Sequence, residues 1–151
     1  MTQVITSRRT LGYWQLVGLL CVVVAGCGGK KIDESTMQSS QQAYDSALGP
    51  FSQGDYATAR TALDEALQGK GLNVDTYSDA LVKRAICAAA AGDFDVAKAD
   101  IAEAERGAPD MSIVHVAKGF LLAKQGDDAG AQAEFTAAKQ INPNVEVPEV
   151  D

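Results

Sequence analysis

The sequence predicts an all-α protein, built as an α-solenoid of three helix-turn-helix repeats that follow a cleaved signal peptide. One short motif occurs three times, as Gly-Asp-Tyr at position 54, Gly-Asp-Phe at 92 and Gly-Asp-Asp at 126. Each copy is followed, at offsets of 5, 9 and 12 residues from its Gly, by a small, a large and a small apolar residue. These offsets place the three side chains on one stripe of a helix. Ala is abundant and no stretch alternates as a strand would. Because one such repeat cannot bury its apolar face alone, the copies must stack.

The first element in chain order is an export signal. Arg8 and Arg9 precede an apolar stretch over residues 11–25, which is too short and too often interrupted by Gly and Gln to span a membrane comfortably. The stretch ends in Val24-Ala25-Gly26-Cys27, which resembles the lipobox of bacterial lipoproteins. The resemblance implies a lipoprotein signal peptide over residues 1–26, diacylglyceration of the Cys27 thiol and a flexible tether over 27–32. An ordinary signal peptide or an uncleaved anchor remain alternatives, and export by the general or the twin-arginine route is left open.

Six predicted helices follow in pairs, at residues 33–48 with 55–68, 74–91 with 94–106, and 111–125 with 128–141. Each pair turns at a Gly-Asp junction, where Gly adopts the left-handed conformation that ends one helix and Asp accepts amide hydrogen bonds at the start of the next. Pro50 is expected to kink or end the first helix near Gly49. Gly69-Lys70-Gly71 forms a linker after the first pair, and Asn142-Pro143 ends the last helix.

The second and third copies resemble the tetratricopeptide repeat (TPR). The third runs from Gly119 through Gly126-Asp127 to Pro143, and the second runs from Ala85 through Gly92-Asp93 to Pro109. Gly92 and Gly126 are 34 residues apart, which is the period of the family, whereas Gly54 and Gly92 are 38 apart. The resemblance implies three TPR-like repeats within residues 33–143, at about 40–71, 78–109 and 112–143. The chain departs from the family pattern where a leucine or an aromatic residue is usual, at Ser46, Arg84 and Lys118 and at Pro50 and Asp128.

The last element is an extended tail over residues 144–151, with three valines around Pro148. Repeat arrays usually end in a polar capping helix, and none is predicted here. Either the tail valines cover the last apolar face, or a second copy of the chain covers it in a homodimer, or the face stays uncovered.

Composition narrows the possible functions. The chain carries a formal net charge of -7, and its first 26 residues hold two arginines and no acids, so the mature protein is more acidic still. An acidic chain without a basic cluster argues against nucleic-acid binding. Cys87 is expected to be a packed apolar residue and His115, the only histidine, a structural one. Metal-ligand spacing and a phosphate-binding loop are absent from the sequence, so we expect neither a cofactor nor an enzyme.

Binding of another protein is the predicted function. In TPR proteins the first helix of each pair lines a concave groove, and the resemblance implies that the groove positions here are Tyr44, Leu48, Val82, Ile86, Ala89, Val116, Phe120 and Lys124. This set is mostly apolar, which suits a hydrophobic peptide or an amphipathic helix. The expected location is the bacterial cell envelope, anchored by lipid and facing the periplasm or the exterior, on the outer membrane if the host has one. A spacer that self-associates without a dedicated client is the alternative.

Overall fold

The computed structural model describes residues 33–150, within which the chain forms six α-helices and no strand. The all-α prediction is therefore confirmed for this part of the chain. The helices are α1 Glu34–Ser52, α2 Tyr56–Gln68, α3 Val74–Ala90, α4 Phe94–Glu105, α5 Met111–Lys124 and α6 Asp128–Ile141. The predicted signal peptide, the tether and Cys27 lie outside the described residues. Within those residues, every helix is too short or too polar to cross a membrane.

The helices pack largely in chain order. α1 lies against α2, α3 against α4, and α5 against α6. The pairs are joined by contacts of α2 with α3, of α3 with α5 and of α4 with α5. Because α3 contacts α1 as well as α2, α4 and α5, it lies at the centre. The sequence of α3 fits this position, since nine of its 17 residues are buried.

The three Gly-Asp junctions adopt the same turn. Gly54, Gly92 and Gly126 have φ of 77°, 81° and 84°, in the left-handed region that favours glycine. In each turn the Gly N–H and the following Asp N–H donate to carbonyls of the preceding helix in the 5→2 and 6→1 pattern of a Schellman motif. The prediction of a left-handed glycine at each junction is confirmed.

The aspartates of these junctions do not all act alike. The Asp55 carboxylate accepts from the Thr58 N–H at 3.1 Å, and Asp127 caps α6 in the same way. The cap prediction is wrong for Asp93, whose side chain makes no cap hydrogen bond. Arg60 of α2 donates instead to Asp93 Oδ2 at 2.6 Å. Asp93 thus forms a long-range ion pair in place of a local cap, and this pair ties the first pair of helices to the turn of the second.

The sequence predicts that Pro50 kinks or ends the first helix near Gly49. Pro50 lies inside α1, which continues to Ser52, so the predicted end near Gly49 is wrong. Proline lacks the N–H that would bond to the carbonyl of Ser46, but Ser46 is exposed, so water can reach that side of the helix. The residue before a proline is normally driven out of the helical region by its Cβ, and Gly49 has none. The helix ends soon afterwards, with Gln53 as its C-cap.

The repeated small-large-small stripe is part of the core. All six of its small alanines and both aliphatic residues are buried: Ala59, Leu63, Ala66, Ala97, Ile101, Ala104, Ala131 and Ala138. The large residue of the third copy, Phe135, packs against Gly119 of α5, where an added Cβ would lie 2.5 Å from Phe135 Cε1. A glycine at 119 therefore allows α5 and α6 to approach closely.

The four extra residues of the first copy allow the chain to pass back over α1. Gly71 N–H donates to Ser40 Oγ at 3.2 Å, and Ser40 is itself buried in α1. A Cβ on Gly71 would lie 2.5 Å from the Thr36 carbonyl oxygen, a backbone atom that cannot move independently. The glycine at position 71 is thus required by the close contact with α1.

Of the three residues that stand where the TPR pattern predicts a leucine, Arg84 and Lys118 form polar links between helices. Arg84 of α3 donates to Asp100 of α4 at 2.7 and 2.6 Å and to Asp64 of α2 at 3.0 Å. Lys118 of α5 forms an ion pair with Glu105 of α4. Ser46, in the first pair, donates to a carbonyl of its own helix. The position is therefore charged in the two copies that have a preceding pair of helices to contact.

Candidate binding groove

A groove of about 1190 Å³ runs across the first helices of the three pairs. Its floor contains aliphatic residues of α3 and α5, namely Val82, Ile86, Ile113 and Val116. The end of α1, the following turn and the start of α2 form one side, with Leu48, Phe51 and Tyr56. The tail lines the groove as well, from Asn142 to Glu149. The groove thus combines an apolar floor with walls from the first pair of helices and from the C-terminal tail.

The eight predicted groove residues divide into two sets. Leu48, Val82, Ile86 and Val116 line the groove, and Leu48 is the most accessible of these, at 38% exposed. The three floor residues among them are each no more than 3% exposed. The structure places the other four outside the lining: Tyr44, Ala89, Phe120 and Lys124.

Phe120 belongs to the core. Its side chain is fully buried, and Ala89 is only 1% exposed. The Phe120 ring meets Tyr56 edge-on, with centroids 5.8 Å apart, and Tyr56 meets Phe51 in the same manner at 5.8 Å. This aromatic series connects the first pair of helices to the third beneath the groove. The Lys124 amine lies 5.5 Å from the Phe120 ring centroid.

Tyr44 contributes to a polar edge beside the groove. Its hydroxyl donates to Asp79, and the Lys83 amine donates to both Asp79 carboxylate oxygens at 2.7 and 2.6 Å. Burial and the hydrogen bond to Asp79 raise the pKa of the Tyr44 hydroxyl above its ordinary value. Lys83 also lies 5.5 Å from the Phe51 ring centroid. Asp79 and Lys83 both line the groove, so a neutralised charge pair borders its apolar floor.

The tail reaches the groove through a turn at the end of α6. Asn142 ends the helix as predicted, and Val145 N–H donates to the Asn142 carbonyl at 3.1 Å, which reverses the chain. Val145 and Val147 are half-buried and pack against the core. The exposed residues of α6 are small or polar, among them Ala133, Thr136 and Gln140, except for Ile141 at the end of the helix, which is 52% exposed. The tail valines therefore cover the core at the groove, whereas α6 presents a largely polar face of its own.

Sequence reasoning missed several groove residues. Phe51, Tyr56 and Ile113 line it, as do Asp79 and Lys83. Tyr56 carried a usable signal, because it is the aromatic residue of the first Gly-Asp-Tyr motif. Asp79 and Lys83 lie one turn apart on α3. This spacing permits an ion pair but does not indicate which face of the helix the two residues occupy. The tail gave no such signal, since its position depends on the turn at Asn142.

The residues with chemical reactivity lie elsewhere. Cys87 is 1% exposed at the base of a separate hollow of about 490 Å³, and burial raises the pKa of its thiol to about 12. His115 Nδ1 lies 2.6 Å from Glu134 Oε2, linking α5 to α6 outside both the groove and this hollow. In the part of the chain that the structure describes, no three His, Cys, Asp or Glu side chains are placed to hold a metal ion.

Comparison of the chain with protein-family models, with curated proteins and with solved structures gave no match.

Proposed function

We propose that this protein is a lipid-anchored α-solenoid of three TPR-like repeats that binds another protein in the bacterial cell envelope. The observation that carries the proposal is the groove, whose aliphatic floor lies between polar and aromatic walls. Apolar surface beside a few fixed polar groups is the usual character of a recognition groove. The ligand that suits it is an apolar peptide or helix of the client protein, and the role that follows is assembly or retention of an envelope complex.

The helical arrangement supports the repeat part of the proposal. Three pairs of helices follow each other with the same Schellman turn. The first and second pairs are joined mainly by α2 with α3, and the second and third mainly by α3 with α5. The buried stripe recurs in all three pairs with Gly119 allowing close approach in the last. Stacked pairs of this kind leave one face of the first helices as a continuous surface, and the groove lies on that face.

The anchor part of the proposal depends on Val24-Ala25-Gly26-Cys27 and is tested separately. Replacing the thiol in Cys27→Ser removes the atom to which the lipid is attached. We expect the variant to retain its signal peptide and to lose the acyl mass, whereas the wild type is recovered with membranes as a lipidated chain that begins at Cys27. Mass spectrometry of both proteins measures this. A wild-type chain that begins at residue 26 or earlier and carries no lipid would contradict the anchor.

The binding part is tested at Leu48, the accessible aliphatic residue of the groove. A glutamate there places a charge over the apolar floor without disturbing a buried side chain, so Leu48→Glu should reduce client recovery at least about tenfold. Val96→Glu on α4 is the matched control, because Val96 is 37% exposed, close to the 38% of Leu48, and does not line the groove. The measurement is a cross-linked affinity pull-down from native membranes.

Three outcomes separate the possibilities. A protein captured by the wild type and the Val96→Glu control but lost with Leu48→Glu supports the proposal. Equal capture by all three chains places the interaction away from the groove. Recovery of the protein alone, in oligomers, favours the self-associating spacer.

A further inference from the structure

We infer that the protein's own tail, residues 144–149, forms one wall of the groove and covers part of its apolar floor, and that a client must displace it with an extended segment whose aliphatic residues stand at alternate positions. The inference deepens the proposed function and rests on it for the identity of the client. The occupation of the groove by the tail is a separate matter and can be measured without any client.

The tail is directed into the groove by a specific turn. Besides the bond from Val145 to the Asn142 carbonyl, the Asn144 N–H donates to Asn142 Oδ1 at 3.1 Å. The pKa of the Asp110 carboxyl, at the N-cap of α5, is lowered chiefly by hydrogen bonds from Ser112 and to a smaller extent by Asn142. The point at which the chain reverses therefore lies beside the start of the helix that supplies part of the groove floor.

Beyond the turn, burial alternates over residues 145–147 as in an extended chain, and Pro148 after them is half-buried as well. Val145 and Val147 are half-buried and pack against the core, whereas Glu146 between them is exposed. Alternation of this kind places every second side chain on the same side. Two aliphatic groups are thus presented to the core, and the acidic group is kept in water.

The tail is held by side chains and by its turn. Residues 145–150 form neither helix nor strand, so no backbone ladder fastens them to the floor. A client with aliphatic side chains at the same spacing can therefore compete with Val145 and Val147 for the same surface. Because the tail is covalently attached through a short turn, its effective concentration at the groove is on the order of millimolar, and a free peptide must overcome that advantage.

A synthetic peptide of residues 144–151 provides the test. Its affinity is measured by fluorescence anisotropy against three forms of the full chain in detergent: the wild type, Val145→Asp/Val147→Asp, and Val150→Asp. The double variant places charges where the tail valines meet the core and unseats the tail. Val150 is 39% exposed and does not line the groove, so its substitution is the matched control.

We expect the double variant to bind the peptide at least about tenfold more tightly than the wild type and the Val150→Asp control. A chain ending at Pro143 should behave as the double variant does. Equal affinity for all forms, or binding to none of them, would overturn the inference. So would a wild-type dimer that becomes monomeric when the tail is unseated, because the tail would then lie in the groove of a second copy.

The result is distinguishable from failure of the proposed function. In one result the double variant binds the peptide more tightly, but the pull-down recovers no client whose capture depends on Leu48. This result would support the tail as the segment that covers the groove and reject the envelope scaffold. The opposite result is a client whose recovery depends on Leu48 but is the same from the wild type and the double variant, while both chains bind the peptide with equal affinity. This result would support the scaffold and reject the tail as a competitor.

Discussion

Phe120→Ala is expected to lower the free energy of unfolding by about 3–5 kcal/mol, since a fully buried phenylalanine leaves a cavity that its neighbours fill only in part. The ring is also the contact through which Tyr56, at the start of α2, meets α5 at 5.8 Å. Its loss therefore weakens the link between the first and third pairs of helices as well as local packing. Chemical denaturation followed by circular dichroism measures the effect.

Phe94→Ala is the control for this prediction, because Phe94 is a partly buried phenylalanine that packs against the same core. We expect a smaller loss there, since water already reaches part of its ring. Equal losses for the two variants would contradict the placement of Phe120. The placement also governs how binding is tested: a charge at position 120 would unfold the chain, whereas a charge at Leu48 leaves buried packing intact.

Arg84→Met is expected to cost about 3 kcal/mol, because it leaves the Asp100 carboxylate buried without its partner. The Asp100 side chain is 7% exposed and receives two hydrogen bonds from Arg84, while the third bond of Arg84 goes to Asp64 on α2. Breaking the pair thus affects α2, α3 and α4 together. Unfolding in urea gives the change in free energy.

A double variant and a surface pair complete this test. Arg84→Met/Asp100→Leu removes both charges, and we expect it to recover most of the loss, because no buried charge remains unpaired. Arg60→Met breaks the ion pair with Asp93, which is more accessible than the Arg84–Asp100 pair because the Arg60 side chain is 27% exposed and the Asp93 side chain 53%. This variant should lose under about 1 kcal/mol of stability. A double variant no more stable than Arg84→Met would show that the buried charge is not the source of the loss.

Local patterns predicted most of the helical framework. The Gly-Asp motif predicted the left-handed turns at 54, 92 and 126, because the left-handed conformation depends on the glycine itself. The small-large-small spacing predicted the buried stripe for the same reason, since helical periodicity is local. Observed and predicted helices differ by at most four residues, at the end of α1, where Gly49 and exposed Ser46 accommodate Pro50.

The features that escaped prediction depend on residues far apart in sequence. Asp93 forms an ion pair with Arg60, 33 residues earlier, instead of capping α4. Phe120 was expected in the groove from its position on α5, but it is fully buried and meets Tyr56 from the first pair of helices edge-on. The tail lines the groove because Asn142 reverses the chain. Periodicity describes one face of one helix, and it does not indicate which distant residue will cover that face.

The most direct test of the binding proposal is a photo-crosslinking amino acid at position 48, introduced into the full chain in its native cells. The same amino acid at position 96 is the control of equal exposure. We expect a specific heteromeric adduct from position 48 and none from position 96, with a larger yield when Val145→Asp/Val147→Asp unseats the tail. Adducts of equal yield from both positions, or an adduct from position 96 alone, would contradict the account that the groove is where this protein binds its client.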